Sequence, residues 1–280
     1  MKKKSTHLML FDDTSSVVVV GAHPDDAVRA CGGVMLRALS LGRATAGLSS
    51  RAPKLTVIAV TDGAALFGKT GIPDGRRTAC ARKAEQAKAL KALGVPKRNT
   101  FHLGFPDGGI PKLRHRNRTE RSGAYFCPWL DSDRTNDASY APGIDFTGNN
   151  LTHILMNLLA AAKPPHVFTH HARDKHPDHR GVTWFVRKAL AELRKSGVID
   201  AAPAIYEYLT YVSGTPWPPA GPAVPVKAAK ALPFGGRIVN FRLTPAEMKR
   251  KNTALDRLTP TLGPDYIAHW RRTNEIYWRC

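Results

Sequence analysis

The feature that most restricts this chain is a repeated order of events: a short apolar, β-branched run that ends at once in polar, chemistry-bearing residues. VVVVGAHPDD begins at Val17, LTVIAVTDG at Leu55, NTFHLGFPDGG at Asn99 and HVFTHHARDKHPDH at His166. Apolar runs of this length, bounded by turn residues, read as buried strands. Helical patterns lie between them. One runs from about Ala27 to Leu41 and is closed by Gly42; another runs from Arg77 to Leu93, with Ala81, Ala84, Ala87, Leu90 and Leu93 on one stripe and Gly94 as its stop. Further helices are expected over about 150–162 and 181–196, and a further strand over 204–212. Strands alternating with helices of this length imply right-handed crossovers, hence a Rossmann-like α/β fold with three α/β/α layers and a mostly parallel sheet. Ligands bind such sheets at the carboxyl ends of the strands. All four polar motifs fall there, so they form one candidate site.

At 280 residues the chain is expected to form a single domain, with a core over about 16–212 and a C-terminal extension over 213–280. The stretch from Asp107 to Asn149 has little periodicity and reads as a loop-rich, substrate-facing insertion that includes Tyr125, Trp129 and Tyr140. The proline-rich segment 213–236 reads as extended. After it Thr244, Pro245 and Glu247 have the spacing of a capping box.

Lysine and arginine outnumber aspartate and glutamate by 42 to 22, a net charge of +20. That excess favours anionic partners, and contact with an anionic membrane surface is one expectation. Aromatic residues are hardly interleaved with the basic ones, so no specific nucleic-acid partner is expected. Cys31, Cys80, Cys127 and Cys280 show no ladder of spacings, against a disulfide scaffold or a thiolate metal site. The apolar run Leu8–Phe11 is too short for a secretory signal, so the expected location is cytoplasmic, with any membrane contact peripheral.

The motifs define the chemistry. His23, Asp26 and His179 supply two imidazoles and one carboxylate, the commonest set for a catalytic zinc that keeps one position open for water, although iron, cobalt or nickel suits the same donors. Asp25, beside Asp26, can serve as general base. His176 can face a developing oxyanion, and Asp178 can orient an imidazole. Each aspartate of the pair could alone be a helix cap, and His7, His102, His115, His153 and His269 carry no assigned role. His170 stays ambiguous, and His171 reads as structural support. Five of the eleven histidines fall between His166 and His179, however, and a second His-Pro-Asp lies there. The parts amount to metal-assisted hydrolysis of an amide or ester, with one zinc per chain.

AHPDD, CGG, TDG, RKAE, FPDG and HPDH, in that order, resemble the PIG-L/LmbE-like zinc-dependent N-deacetylases over about Val17 to Tyr211. The resemblance implies removal of acetyl from an N-acetylglucosamine-type conjugate, here phosphorylated or lipid-linked in keeping with the charge. It places His23, Asp26 and His179 on zinc, Asp25 as base and His176 at the oxyanion, and it adds Arg82 and Asp107 as substrate contacts. A tyrosine near the last strand is expected to assist the carbonyl; Tyr206, Tyr208 and Tyr211 are candidates, and Tyr208 is the choice made here. One departure is Ala27, where the family usually has glutamate. Two other readings compete: a zinc amidase or esterase on a non-sugar substrate, and a basic binding protein for nucleic acid or anionic lipid with a vestigial metal site.

Overall fold

The computed structural model describes residues 16–44, 55–66, 74–212, 215–219 and 237–280. Its main sheet has seven strands: β1 (Val17–Gly21), β2 (Leu55–Thr61), β3 (Thr100–Phe105), β4 (His166–His170), β5 (Ala204–Tyr208), β6 (Arg237–Arg242) and β7 (Asn274–Arg279). They stand in the order β3-β2-β1-β4-β5-β7-β6. The first five are parallel; β7 and β6 add antiparallel at one edge. Five longer helices flank the sheet: α1 (Asp26–Ala44), α2 (Gly75–Leu93), α3 (Gly148–Ala162), α4 (Pro177–Lys195) and α5 (Pro245–Asp256).

The four valines of β1 show why the sheet is covered on both faces. Side chains alternate along a strand. Val17 and Val19 enter one hydrophobic core with residues of α1, α2 and α5; Val18 and Val20 enter the other with residues of α3 and α4. A strand buried on both sides is the ordinary state of a central parallel strand, and it explains the unbroken apolar run. Strand order reverses between β1 and β4, which opens a crevice at their carboxyl ends. The HPDD turn follows β1 and the HPDH segment follows β4.

Several boundaries differ from the sequence expectation. Helix α1 continues through Gly42 to Ala44. Helix α4 starts four residues earlier than expected, with His176 as its cap and Pro177 in its first turn, so Asp178 and His179 are helical. The run expected as a strand over 204–212 ends at Tyr208, and Tyr211–Val212 instead pair with Thr215–Pro216. The insertion is ordered by short helical turns at Ile110–His115 and Glu120–Ser122. The capping box of Thr244 and Glu247 is present at the start of α5. Most of the proline-rich stretch and the basic residues Met1–Lys4 lie outside the described residues.

The C-terminal region is built into the fold through two glycines of α1. That helix kinks at Cys31, where φ is −127° and ψ is 16°. The kink leaves the amides of Gly33 and Val34 for the carboxylate of Glu275 on β7, at 2.8 and 3.1 Å. Lys251 of α5 pairs with the same carboxylate at 2.6 Å, and both side chains are buried. A methyl group on Gly32 would lie 2.9 Å from the Lys251 side chain, and one on Gly33 would lie 2.9 Å from Leu243. The CGG motif therefore allows α5 and β7 to approach the helix that carries the HPDD turn. Removing one member of a buried pair leaves the other uncompensated, at a cost of about 3–5 kcal/mol. We expect Lys251→Met to lose stability on that scale in urea unfolding; a loss below about 1 kcal/mol would show that the pair does not hold this junction.

Candidate metal and catalytic site

The HPDD turn is tight because Asp26 folds back on it. Its Oδ2 accepts from the backbone N–H of His23 at 2.7 Å and opens α1 as an acidic first-turn residue. That places Asp26 Oδ2 3.3 Å from His23 Nδ1 and 3.6 Å from His179 Nε2, while the two imidazole nitrogens are 3.1 Å apart. Tetrahedral donors at metal bonds of about 2.0–2.1 Å lie about 3.3 Å apart, so the three atoms have the spacing of a metal face. Other compact donor groups overlap this one: His23, His176 and His179; Asp26, His170 and His179; and His23, Asp107 and Asp178.

Each of the three has its far side held. His23 Nε2 is 3.0 Å from Asp107 Oδ1 and 3.5 Å from Asp178 Oδ2. His179 Nδ1 is 3.0 Å from Asp174 Oδ1 and 2.7 Å from the Thr210 hydroxyl. Asp26 Oδ1 takes Arg29 Nη2. Such outer contacts fix which ring nitrogen faces the centre. They also set charge. Burial alone would lower the His23 pKa, but Asp107, with bonds to Asp178 and Asp26, raises it well above the usual histidine value. Burial and the neighbouring His170 push His179 down to about 3, and burial with His23 pushes His176 down to about 4.

Asp25 is held by two guanidinium groups. Arg29 Nε is 2.6 Å from Oδ2, and Arg82 Nη2 donates to Oδ1 at 2.5 Å. Burial raises this carboxyl's pKa, yet the two arginines outweigh it and keep the group below the ordinary carboxylate range. Arg82 also donates to the carbonyl of Gly63 at 2.7 Å, so the RKAE arginine braces Asp25 against the TDG turn. His176 caps α4, its Nδ1 accepting from the N–H of Asp178 at 3.3 Å. Asp178 itself accepts from the amides of Gly108 and Ile110, at 2.6 and 3.2 Å, and so ties the FPDGG turn to α4. These contacts join the HPDD, TDG, FPDG and HPDH motifs in one cluster.

A cavity of about 290 Å³ adjoins it, lined by His23, Asp25, Arg29, Ala65, Leu66, Arg82, Asp107, His176, Tyr211, Leu262 and Tyr266. Two expectations need correction here. Tyr208 does not line this cavity: it is buried on β5, and its hydroxyl donates to the carbonyl of Val20 at 2.8 Å. Tyr206 stacks on Phe168 in the core, and Tyr211, beyond the strand's end, is the candidate tyrosine that faces the cavity. Of the insertion, Asp107 lines the cavity, whereas the expected Tyr125, Trp129 and Tyr140 do not. Tyr125 packs on Gly109, and Tyr140 meets Phe101 edge to face. Part of the wall comes instead from Leu262 and Tyr266, more than ninety residues past the end of β4.

Four contributors were missed in the sequence. Arg29 stands three and four residues after the aspartates, a helical spacing that could have revealed it. Asp174 stood within the quoted histidine-rich run, five residues before His179. Thr210 and Tyr266 have no local signal. His170, left ambiguous, stacks on His179 with ring centroids 3.8 Å apart and lies 3.0 Å from Asp26 Oδ2. His171 bonds within its own loop and contacts Trp278.

No helix among the described residues is long and apolar enough to cross a membrane. No curated protein matches the chain. Solved structures share its fold. Teicoplanin deacetylase Orf2 is 17% identical, with 95% of this chain and 97% of that one covered and a TM-score of 0.53. The N,N'-diacetylchitobiose deacetylase of Pyrococcus horikoshii is 16% identical, with 95% and 84% covered and a TM-score of 0.55. The 4-carboxy-2-hydroxymuconate hydratase GalB of Pseudomonas putida is 15% identical, with 92% and 82% covered and a TM-score of 0.53. The family model PIG-L, described as GlcNAc-PI de-N-acetylase, matches residues 18–190, a span that holds both histidine motifs and more than half of the 280 residues. The chain belongs to the PIG-L family.

Proposed function

We propose that the protein is a metal-dependent N-deacetylase that releases acetate from an N-acetylglucosamine-type conjugate, with one zinc held by His23, Asp26 and His179. The observation that carries this reading is the convergence of those three donors, at tetrahedral spacing, beside a cavity that His23, Asp25 and His176 line. A zinc ion bound there would supply a Lewis acid and lower the pKa of a coordinated water.

The protein's own groups have complementary tasks. Asp25 keeps a free lone pair on each oxygen after its arginine contacts, so it can accept a proton from the attacking water. Its lowered pKa makes it a poor trap for that proton, which it passes to the departing amine. His176 is neutral at pH 7, and because its Nδ1 accepts the Asp178 amide it carries its proton on Nε2. That N–H is a donor for the oxyanion formed at the acyl carbon. Tyr211 and Tyr266, whose hydroxyls lie 2.7 Å apart, give the cavity an aromatic side suited to a sugar ring. The aminosugar class draws support from the family description and from the diacetylchitobiose and teicoplanin deacetylases that share the fold.

The test joins metal analysis with acetate release from neutral and phosphorylated N-acetylglucosamine conjugates. About one zinc per chain and acetate release that stops on chelation are expected. Asp25→Asn should retain the metal and lose about 10²–10⁴-fold in kcat. Undiminished turnover in that variant would remove Asp25 as the base, and stoichiometric metal without acetate from any conjugate would overturn the aminosugar substrate. Asp174→Asn should weaken zinc binding about 10–100-fold in a competitive chelator titration, because Asp174 orients His179. Unchanged affinity would show that Thr210 alone holds the ring.

A further inference from the structure

The hydroxyl groups of Tyr211 and Tyr266, both on the hydrolytic cavity, have a direction that follows from their neighbours. A guanidinium has only donors, so the bond from Arg29 Nη1 to the Tyr266 hydroxyl uses a lone pair of Tyr266 and leaves its proton to be placed. Among the described residues the one acceptor bonded to that hydroxyl is the oxygen of Tyr211, 2.7 Å away. Were Tyr211 the donor in that contact, the Tyr266 proton would have no protein partner. The arrangement that uses every donor therefore runs from Arg29 to Tyr266 to Tyr211, and it leaves the Tyr211 proton for the cavity.

Each end of this relay is held in place. Arg29 is fixed between Asp25 and Asp26, and its guanidinium lies 5.0 Å from the Tyr266 ring centre. The backbone of Tyr211 is tied to the loop that leads into α4: its N–H donates to Asp174 Oδ2 at 3.1 Å, and its carbonyl accepts from the N–H of Lys175 at 3.3 Å. That brings the Tyr211 ring to 5.9 Å from the ring of His176, centre to centre. A permanent cation at the head of a hydrogen-bond chain polarises each hydroxyl after it, which makes the last one a better donor.

We propose that Tyr266 is a positioning residue: anchored by Arg29, it directs the Tyr211 proton into the cavity, where Tyr211 donates, beside His176, to the oxygen of the acyl group under attack. The identity of that acceptor rests on the deacetylase reading; the direction of the relay does not. The reaction thereby draws on a residue beyond the span matched by the family model.

Neutron diffraction from crystals of the full chain grown in heavy water reads the relay directly and needs no activity. The deuteron of Tyr266 is expected to face the Tyr211 oxygen, and that of Tyr211 the cavity; a Tyr211 deuteron aimed at Tyr266 overturns the proposal. Acetate release by the zinc-loaded protein and by Tyr211→Phe, Tyr266→Phe and the double variant then tests the acceptor. Tyr211→Phe should lower kcat about 10²-fold, the loss of one oxyanion donor. Tyr266→Phe keeps its aromatic ring and leaves the Tyr211 donor without a fixed direction, so kcat should fall about fivefold with KM within about twofold. Its Tm should fall by no more than about 4 °C, the cost of one hydrogen bond. Because Tyr266 acts through Tyr211, the double variant should match Tyr211→Phe within about twofold. A rise in KM alone for Tyr266→Phe would make its hydroxyl a ground-state sugar contact, and multiplied losses in the double variant would make the two hydroxyls independent. Either result overturns the proposal, as does undiminished kcat in Tyr266→Phe. Absence of acetate from the parent protein would remove the deacetylase reading and with it the acyl acceptor, while the neutron map still decides the relay.

Discussion

Everything at the catalytic end of the sheet depends on burying two adjacent carboxylates. Asp25 and Asp26 are almost entirely out of water, where ionised groups persist only if paired and hydrogen-bonded. Arg29 meets both of them from the next turn of α1, and Arg82 meets Asp25 from α2. Arg29 is itself 2% exposed and has to be accommodated. The Tyr266 hydroxyl accepts from it, and its guanidinium lies 5.0 Å from the Tyr266 ring centre and 4.8 Å from that of Trp270. The HPDD turn thus requires Arg29, and Arg29 draws the C-terminal residues to the site. The same dependence accounts for the glycine pair after Cys31, which brings β7 and α5 against α1.

This chain of requirements explains what was legible in the sequence. Strand-and-helix alternation gave the layered fold, because a central parallel strand is apolar on both faces and needs no tertiary information to be recognised. The His23, Asp26 and His179 cluster was legible for a related reason: each residue sits at a strand's carboxyl end or just beyond it, where the topology brings ends together. Tyr208 failed at the next level of detail. Tyr206 and Tyr208 lie two residues apart on β5 and both are buried, while Tyr211 falls just after the strand ends. Choosing among them required the last residue of the strand, and apolar patterning does not locate it. Leu262 and Tyr266 were out of reach altogether, since their position follows from the packing of Arg29 and not from any local pattern.

Charge distribution separates the chain's overall character from its centre. The protein carries +20, yet Asp25, Asp26, Asp107, Asp174 and Asp178, five of its 22 acidic residues, crowd around four histidines. Burial there is matched by opposite charge at short range, which long-range surface charge cannot replace. A basic exterior favours the approach of anions, and a carboxylate-rich interior favours retention of a cation. Net charge is therefore informative about what reaches this protein and says little about the chemistry inside it.

The fold likewise does not decide the reaction, since a hydratase shares it alongside the deacetylases. What points to acyl transfer is the division of labour among groups set at one crevice. A carboxylate kept ionised by two arginines and an imidazole kept neutral by burial are opposite solutions to the same desolvation problem, and together they supply an acceptor and a donor of protons at neutral pH. The walls are a separate matter. Ala65 and Leu66 follow β2, whereas Leu262 and Tyr266 come from the C-terminal region, beyond the span matched by the family model. The paired carboxylates and histidines and one side of the cavity wall thus come from different parts of the chain, joined through the guanidinium of Arg29.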